Sequence, residues 1–306
     1  MAGETIAVFT KNRTNPAYEA ARLGADRTAA RLGARATHFV PDQPDDVGQQ
    51  VALVEQAIAQ RPDAVVFVPV HVTELESAVR TLNAAGIPVV NYLNRMAGGR
   101  FVSFVGSDDY RIGTGIAAVL FRHLGGEGDV VILEGMQGAV TSRERVRGFT
   151  DAVRQWPGIR IAATRAADYQ RETAQRVMLE LLATVPRIDG VPSANDVMSL
   201  GVIDALAATG RSMPLIGVNA LPEAIEAIKA GTLLATADFD AMKISCIATE
   251  AALRHLRGEA VPAEIILPVR IVDRTNFQPW DMPFAARQCP LWSDVVGNGR
   301  PGPPIS

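Results

Sequence analysis

Short apolar runs alternate with longer segments of helical periodicity along most of the chain. The run Thr5–Thr10 (TIAVFT) predicts a first strand. Pro16 suits a first-turn position and opens a helix, and Ala21, Leu23, Ala25, Ala29 and Leu32 give that helix a broad apolar face. The pattern continues with a strand over Ala36–Val40, a helix over Val47–Gln60, a strand over Ala64–Val68, a helix over Glu74–Ala85 ended by Gly86, and a strand over Pro88–Asn91. These strands are continuous apolar runs without polar alternation, so both of their faces are covered. A parallel sheet with helices on each side has this signature.

The rhythm restarts after the Gly-rich turn 125–128 with a strand over Asp129–Leu133 and a helix through Arg147–Trp156. Strands over Ile159–Thr164, Ile188–Val191, Leu215–Val218 and Leu233–Ala237 then alternate with helices over Glu172–Leu182, Asp196–Ala208 and Glu223–Ala230. Two successive β/α units are expected, with Phe101–Asp109 as the passage between them. A helix over Met242–Leu256 and an extended run Glu264–Val272 follow the second unit, and one or both return to the first. From Thr275 the chain carries Pro279, Pro283, Pro290 and Pro301 among Phe277, Trp280, Phe284 and Trp292. Proline at that spacing forbids a long helix, and the aromatics are expected to dock an irregular tail, with residues 297–306 mobile.

Composition then narrows the classes. A chain of 306 residues, 48% apolar and 21% charged, buries enough surface for two compact units and is not a disordered segment. Its net charge of −3 argues against a polyanion-binding protein. No apolar run approaches the roughly twenty residues that cross a bilayer. The chain start leaves no room for a secretory signal peptide, which points to a cytosolic protein or to a mature chain with an added Met. The two cysteines, Cys246 and Cys289, are too few for a disulfide framework and are not spaced as metal ligands; whether they join each other stays open.

Catalytic options weaken quickly. No Gly-x-Gly-x-x-Gly follows the first strand, and Gly113 and Gly115 fall inside a helix, where they read as packing positions. There is no phosphate loop and no nucleophile elbow. The four histidines lack a paired metal spacing, and Asp108–Asp109 reads as a helix N-cap. The expectation is a protein without catalytic residues, cofactor or metal.

The informative groups follow the carboxyl ends of the strands, where open α/β sheets bind ligands. Lys11, Asn12, Asn15 and Tyr18 follow the first strand, and the fourth runs into Asn91, Asn94 and Arg95. In the second unit these places supply Thr141, Ser142 and Arg145, then Tyr169, Asn195 with Asp196, and Asn219. Amides donate and accept, a guanidinium offers a rigid fork of donors, and neither requires a charged ligand. The set suits a small, neutral, hydroxyl-rich molecule. Each residue also has a plain structural reading: Asn15 as a helix cap, Tyr18 and Tyr169 as half-buried aromatics, Arg143 and Arg147 as solvated.

The segments KNRTNPAY (11–18), VGSDD (105–109), SRERVRGF (142–149), ADY (167–169) and AND (194–196) resemble, in matching order, the periplasmic sugar-binding proteins of ABC importers, of the ribose- and allose-binding type. The resemblance spans Thr5 to Val272. It implies the type I periplasmic-binding-protein fold: two Rossmann-like lobes, parallel sheets flanked by helices, joined by a three-strand hinge. One lobe comprises residues 1–107 and 240–268, the other 108–239 and 269–276, with 277–306 as an irregular tail. It implies a ligand site between the lobes formed by Lys11, Asn12, Asn15, Tyr18, Asn94, Arg95, Arg145, Tyr169, Asn195, Asn219 and Phe239. The partners it implies are a small neutral carbohydrate or polyol and the permease subunits of an ABC transporter. It further implies a monomer that binds no nucleic acid, located in the periplasm as a mature chain whose signal peptide is absent from this sequence.

Three places depart from the family pattern. Members commonly carry aspartate where this chain has Asn94 and Asn219, and often a glutamine near Phe239. Asp238 offers one carboxylate back. Losing two charge-assisted acceptors, about 1.5–3 kcal/mol each, favours a polyol or furanose-like ligand as much as a pyranose. The alternative reading is the effector-binding domain of a lactose-repressor-type regulator, which shares the two-lobe fold. A first strand near residue 5 leaves no space for its DNA-binding headpiece.

Overall fold

The computed structural model describes residues 3–296. In chain order the first elements are β1 (Thr5–Phe9), α1 (Pro16–Arg31), β2 (Arg35–Phe39), α2 (Val47–Gln60), β3 (Ala64–Phe67), α3 (Glu76–Ala84), β4 (Val89–Tyr92) and β5 (Ser103–Gly106). There follow α4 (Asp109–His123), β6 (Glu127–Glu134), α5 (Val140–Val153), β7 (Gly158–Ala166), α6 (Arg171–Thr184), β8 (Val191–Pro192), α7 (Asp196–Thr209), β9 (Leu215–Val218), α8 (Pro222–Ala230) and β10 (Ala235–Ala237). The chain ends with α9 (Ala241–Leu256), β11 (Glu264–Ile266), β12 (Ile271–Asp273), two single 3₁₀ turns at Gln278–Trp280 and Phe284–Ala286, and α10 (Trp292–Val295).

Two compact units form. The first holds the chain up to Ser107, Asp240–Pro268 and the segment from Phe284; the second holds Asp108–Phe239 and Val269–Pro283. In the first unit six parallel strands run in the order β11-β5-β4-β3-β1-β2. Ile6–Phe9 and Val65–Phe67 are wholly buried, as a strand covered on both faces must be. Phe9, Phe39 and Phe67 stack with centroids 5.0 and 5.1 Å apart at the centre of one face.

In the second unit β12-β10-β9-β8 form one sheet and β6-β7 another. Bridges from Val130 to Gly190 and from Leu133 to Ser193, with Val131 N–H donating to Gly190 O and Ala194 N–H to Leu133 O, join β6 to β8. Read across those bridges, the order is β7-β6-β8-β9-β10-β12, position for position that of the first unit. The one reversal is at the edge, where β12 lies antiparallel to β10 while β11 lies parallel to β5.

Caps set the helix starts. Asn15, Asp46, Asp108, Asn195 and Asp240 each accept a backbone N–H of the first turn of α1, α2, α4, α7 and α9. Gly210 and Gly231 end α7 and α8 in the left-handed conformation.

The structure corrects several boundaries. Phe101–Asp109 is not a bare passage, because Ser103–Gly106 pairs with β4 as β5 and the chain crosses after Ser107. The run Glu264–Val272 is two strands in different units, parted at Pro268. The strand at Ile188–Val191 shrinks to Val191–Pro192, since proline brings no N–H to the ladder. Helix α5 begins earlier than Arg147, at Val140, where Ala139 gives no capping signal.

Residues 277–283 stay with the second unit, where Lys229 Nζ lies 3.1 Å from Asp281 and the Arg274 guanidinium donates to Lys229 O. From Phe284 the tail packs on the first unit: Arg27 donates to Ala285 O and Arg287 O, and the Arg254 guanidinium lies 4.7 Å from the Trp292 ring centroid. Cys246 of α9 and Cys289 of the tail are joined in a disulfide. Residues 297–306 of the expected mobile tail lie outside the described residues. No helix among the described residues is long and apolar enough to cross a membrane.

Candidate ligand-binding site

The strand order 2-1-3-4-5 switches direction between the first and third strands, and ligands of such sheets sit beyond their carboxyl ends. In the first unit that place follows β1. Thr10, Lys11 and Asn12 are buried there. Lys11 Nζ lies 3.1 Å from Asp45 Oδ1, and Asn12 Nδ2 donates to Asp45 Oδ2 at 2.9 Å. Asp45 returns a backbone N–H to Lys11 O from a left-handed conformation with φ 58°. Asn12 Oδ1 accepts from Asn15 N, and Asn15 Oδ1 in turn caps α1 through Ala17 N. Tyr18 sits half-buried on the first turn of α1.

The loop after β4 is shaped by Asn91. Its Nδ2 donates to Phe67 O and Asn94 O while its Oδ1 accepts from Met96 N. This holds Asn94 buried, at 6% exposure. Arg95 is engaged elsewhere: its guanidinium stacks 3.9 Å from the Phe104 ring centroid and pairs with Glu264, with half of the side chain exposed.

In the second unit the groups converge on Arg145, which is 3% exposed. Its Nε donates to Asp109 Oδ1 at 2.8 Å and its Nη1 to Ala194 O at 2.8 Å, with Asn219 Oδ1 at 3.5 Å. The Phe239 ring lies under the guanidinium, 4.7 Å from its centroid. Helices α4 and α5 approach closely enough to permit this: a Cβ on Gly113 would stand 2.3 Å from Arg145 O. Burial pulls the Arg145 proton affinity down, but Asp109 and then Tyr169 outweigh it, so the net shift is upward. Burial pushes the Asp109 carboxyl up, against the opposing pull of Arg145.

Tyr169, at φ 60°, shares a 3.0 Å hydrogen bond with Thr141, and its ring covers Gly135 so closely that a Cβ there would overlap it. Asn195 caps α7 by accepting from Met198 N. Asn219 follows β9 with φ 129°, a backbone conformation that L side chains rarely adopt. Its loop is fixed from below by Asp196, which accepts from Leu221 N and Thr236 Oγ1. Burial raises the Asp196 carboxyl to about 6 despite those bonds. A cavity of about 260 Å³ opens beside the first turn of α5, at the carboxyl end of β6, lined in part by Glu134, Gln137, Ser142 and Arg143.

The structure therefore gathers Lys11, Asn12 and Asn15 in one cluster and Arg145, Asn219 and Phe239 in another, while Arg95 turns to a different partner. Sequence reasoning missed Asp45, Asp109 as an ion-pair partner and Thr236; it placed Asn91 among the candidate ligand groups, and the structure gives it the loop-shaping role instead. Only Asp109 left a signal: in the Asp-Asp pair one acid caps the helix, and the other, one position on, faces a different side.

The ribose import binding protein RbsB of Bacillus subtilis is 31% identical over 87% of this chain and 86% of its own. A solute-binding protein of Actinobacillus succinogenes, solved with bound D-allose, superposes with TM-score 0.86 at 30% identity, over 90% of this chain and 99% of its own. One from Bacillus halodurans, solved with bound myo-inositol, gives TM-score 0.85 at 27% identity, over 92% of this chain and 98% of its own. The family described as periplasmic binding protein domain matches residues 6–260, and the chain belongs to that family.

Proposed function

We propose that the chain is the solute-binding component of an ABC importer, working in the periplasm, and that it captures one small uncharged sugar or polyol without chemical change. The ligand is taken by groups of both units, Lys11, Asn12, Asn15, Tyr18, Asn94 and Arg95 from one and Arg145, Tyr169, Asn195, Asn219 and Phe239 from the other. The observation that carries the reading is the second cluster. A guanidinium held rigid by Asp109 and Ala194 O stands beside buried amides, over an aromatic ring. Among the described residues no protein group pairs with the side-chain amide of Asn94 or with Nδ2 of Asn195 and Asn219. Buried amide donors of this kind match hydroxyl oxygens.

Ribose, D-allose and myo-inositol, named for the three relatives, are all neutral polyhydroxy compounds, which favours an import receptor over a repressor's effector domain. With asparagines at 94 and 219, polyols and furanose-like sugars stand level with pyranoses within that class. Ligand that stabilises a closed form would then be delivered to permease subunits by a monomer that binds no nucleic acid.

A thermal-shift screen across pentoses, hexoses and four- to six-carbon polyols is expected to give one clear stabiliser, and Arg145→Ala to weaken its calorimetric affinity by about tenfold or more. Stabilisation by no neutral compound in the screen, or by NAD or ATP instead, would overturn the reading.

A further inference from the structure

We propose that Asp45 and Asp109 set the charge class of the ligand: each neutralises the buried cation of its own cluster, so that uncharged polyhydroxy compounds bind and the corresponding sugar acids do not. The inference rests on the reading of these clusters as the ligand site and names the residues that would enforce its neutrality.

A guanidinium free at a strand end would recognise a carboxylate through two parallel N–H groups, and a buried ammonium would attract one as a point charge. Neither cation is left in that state. Arg145 directs Nε to Asp109, which removes the Nε edge from fork-like binding, and directs Nη1 to Ala194 O. Lys11 lies against Asp45, which Asn12 and a backbone contact with Lys11 hold in place. All four charged side chains are nearly or fully buried, at 12% exposure or less. An arriving carboxylate would therefore meet a carboxylate already seated on each cation, where the poorly screened surroundings make repulsion strong. In the second unit Asp196 is also buried, acts on Arg145 through its charge, and adds to that repulsion.

Neither aspartate needs to touch the ligand. Both are positioning residues that act through Lys11 and Arg145.

The test compares ribitol and D-ribose with D-ribonate by calorimetry, and measures melting of ligand-free protein with and without formate. The native chain is expected to bind an uncharged probe more tightly than D-ribonate and to show no stabilisation by formate. In Asp109→Asn the affinity ratio is expected to move toward D-ribonate by about tenfold or more, with formate now stabilising the variant. The double variant Asp109→Asn/Arg145→Gln, which removes both charges of the pair, is expected to lose the formate response.

A merely structural aspartate would weaken all probes alike and leave the ratio unchanged. That result without a formate response overturns the inference while leaving neutral-sugar binding intact, and so does tighter native binding of D-ribonate than of ribitol and D-ribose. If the native chain takes no neutral compound of the thermal-shift screen yet the formate pattern appears, the function reading falls and the charge role stands. Should Asp109→Asn not fold, Asp45→Asn carries the same expectation through Lys11, and its failure to shift either readout overturns the proposal.

Discussion

At Asp196 burial and hydrogen bonding pull against each other. The carboxylate accepts from Leu221 N and Thr236 Oγ1, yet burial raises its pKa from 3.8 to about 6. The sign follows from linkage: a carboxyl harder to ionise in the fold adds stability below pH 3.8 that is lost as the pH rises through about 6. Relative to Asp196→Asn, the native protein is expected to lose roughly 2 kcal/mol of unfolding free energy between pH 4 and pH 7, read from urea midpoints. A flat difference across that range would mean the bonds balance the burial.

The sequence made Asp196 visible as a neighbour of Asn195 but gave no sign of its load, because Thr236 lies 40 residues away. The same distance problem hid Asp45 and Asp109, which sit 34 and 36 residues from their cations with no local spacing to connect them. Asn15 was legible as a cap because a capping amide is a local signal, whereas Asn195, read only as a ligand group, proves to cap α7 as well. Both do cap, and a cap occupies only the side-chain oxygen, so the amide nitrogen remains available to a ligand.

Most helices and strands were legible because periodicity is written within each element. Helix α2 falls on the expected residues, and β9 does too. What periodicity cannot express is how closely two elements meet. Gly113 and Gly148 lie where α4 crosses α5: a Cβ on Gly148 would stand 2.5 Å from Tyr110 O, and one on Gly113 is blocked by the backbone of Arg145 itself. The packing role expected for Gly113 thus has a functional side, since the crossing sets the depth at which Arg145 enters the cluster. Gly113→Val is expected to cost about 1–3 kcal/mol in chemical denaturation, by forcing the helices apart. It should also weaken the ligand identified in the thermal-shift screen. Unaltered stability and affinity together would show that α5 slides without disturbing Arg145.

Across the molecule, one strand order is used twice, β2-β1-β3-β4-β5-β11 and β7-β6-β8-β9-β10-β12, so that the polar loops after the first and fourth strands recur in each unit. This repetition was readable from the restart of the β/α rhythm. The destinations of β11 and β12 were not, since three-residue strands carry too little pattern to assign a sheet. The pairing of Cys246 with Cys289 was also beyond the sequence, because it depends on the tail returning to α9. The closed loop spans a separation of 43 residues, for which chain-entropy arguments give a contribution of about 2–4 kcal/mol. Cys289→Ser is expected to lower stability by that amount. An equal melting temperature under reducing and non-reducing conditions would refute it.

The same bond makes a covalent ring of everything from α9 to the tail, and that ring contains the exposed turn at Arg257–Ala260. A protease that nicks this turn would sever the backbone without releasing either piece. The cleaved molecule should migrate as one band on a non-reducing gel and fall into two only when a thiol is added.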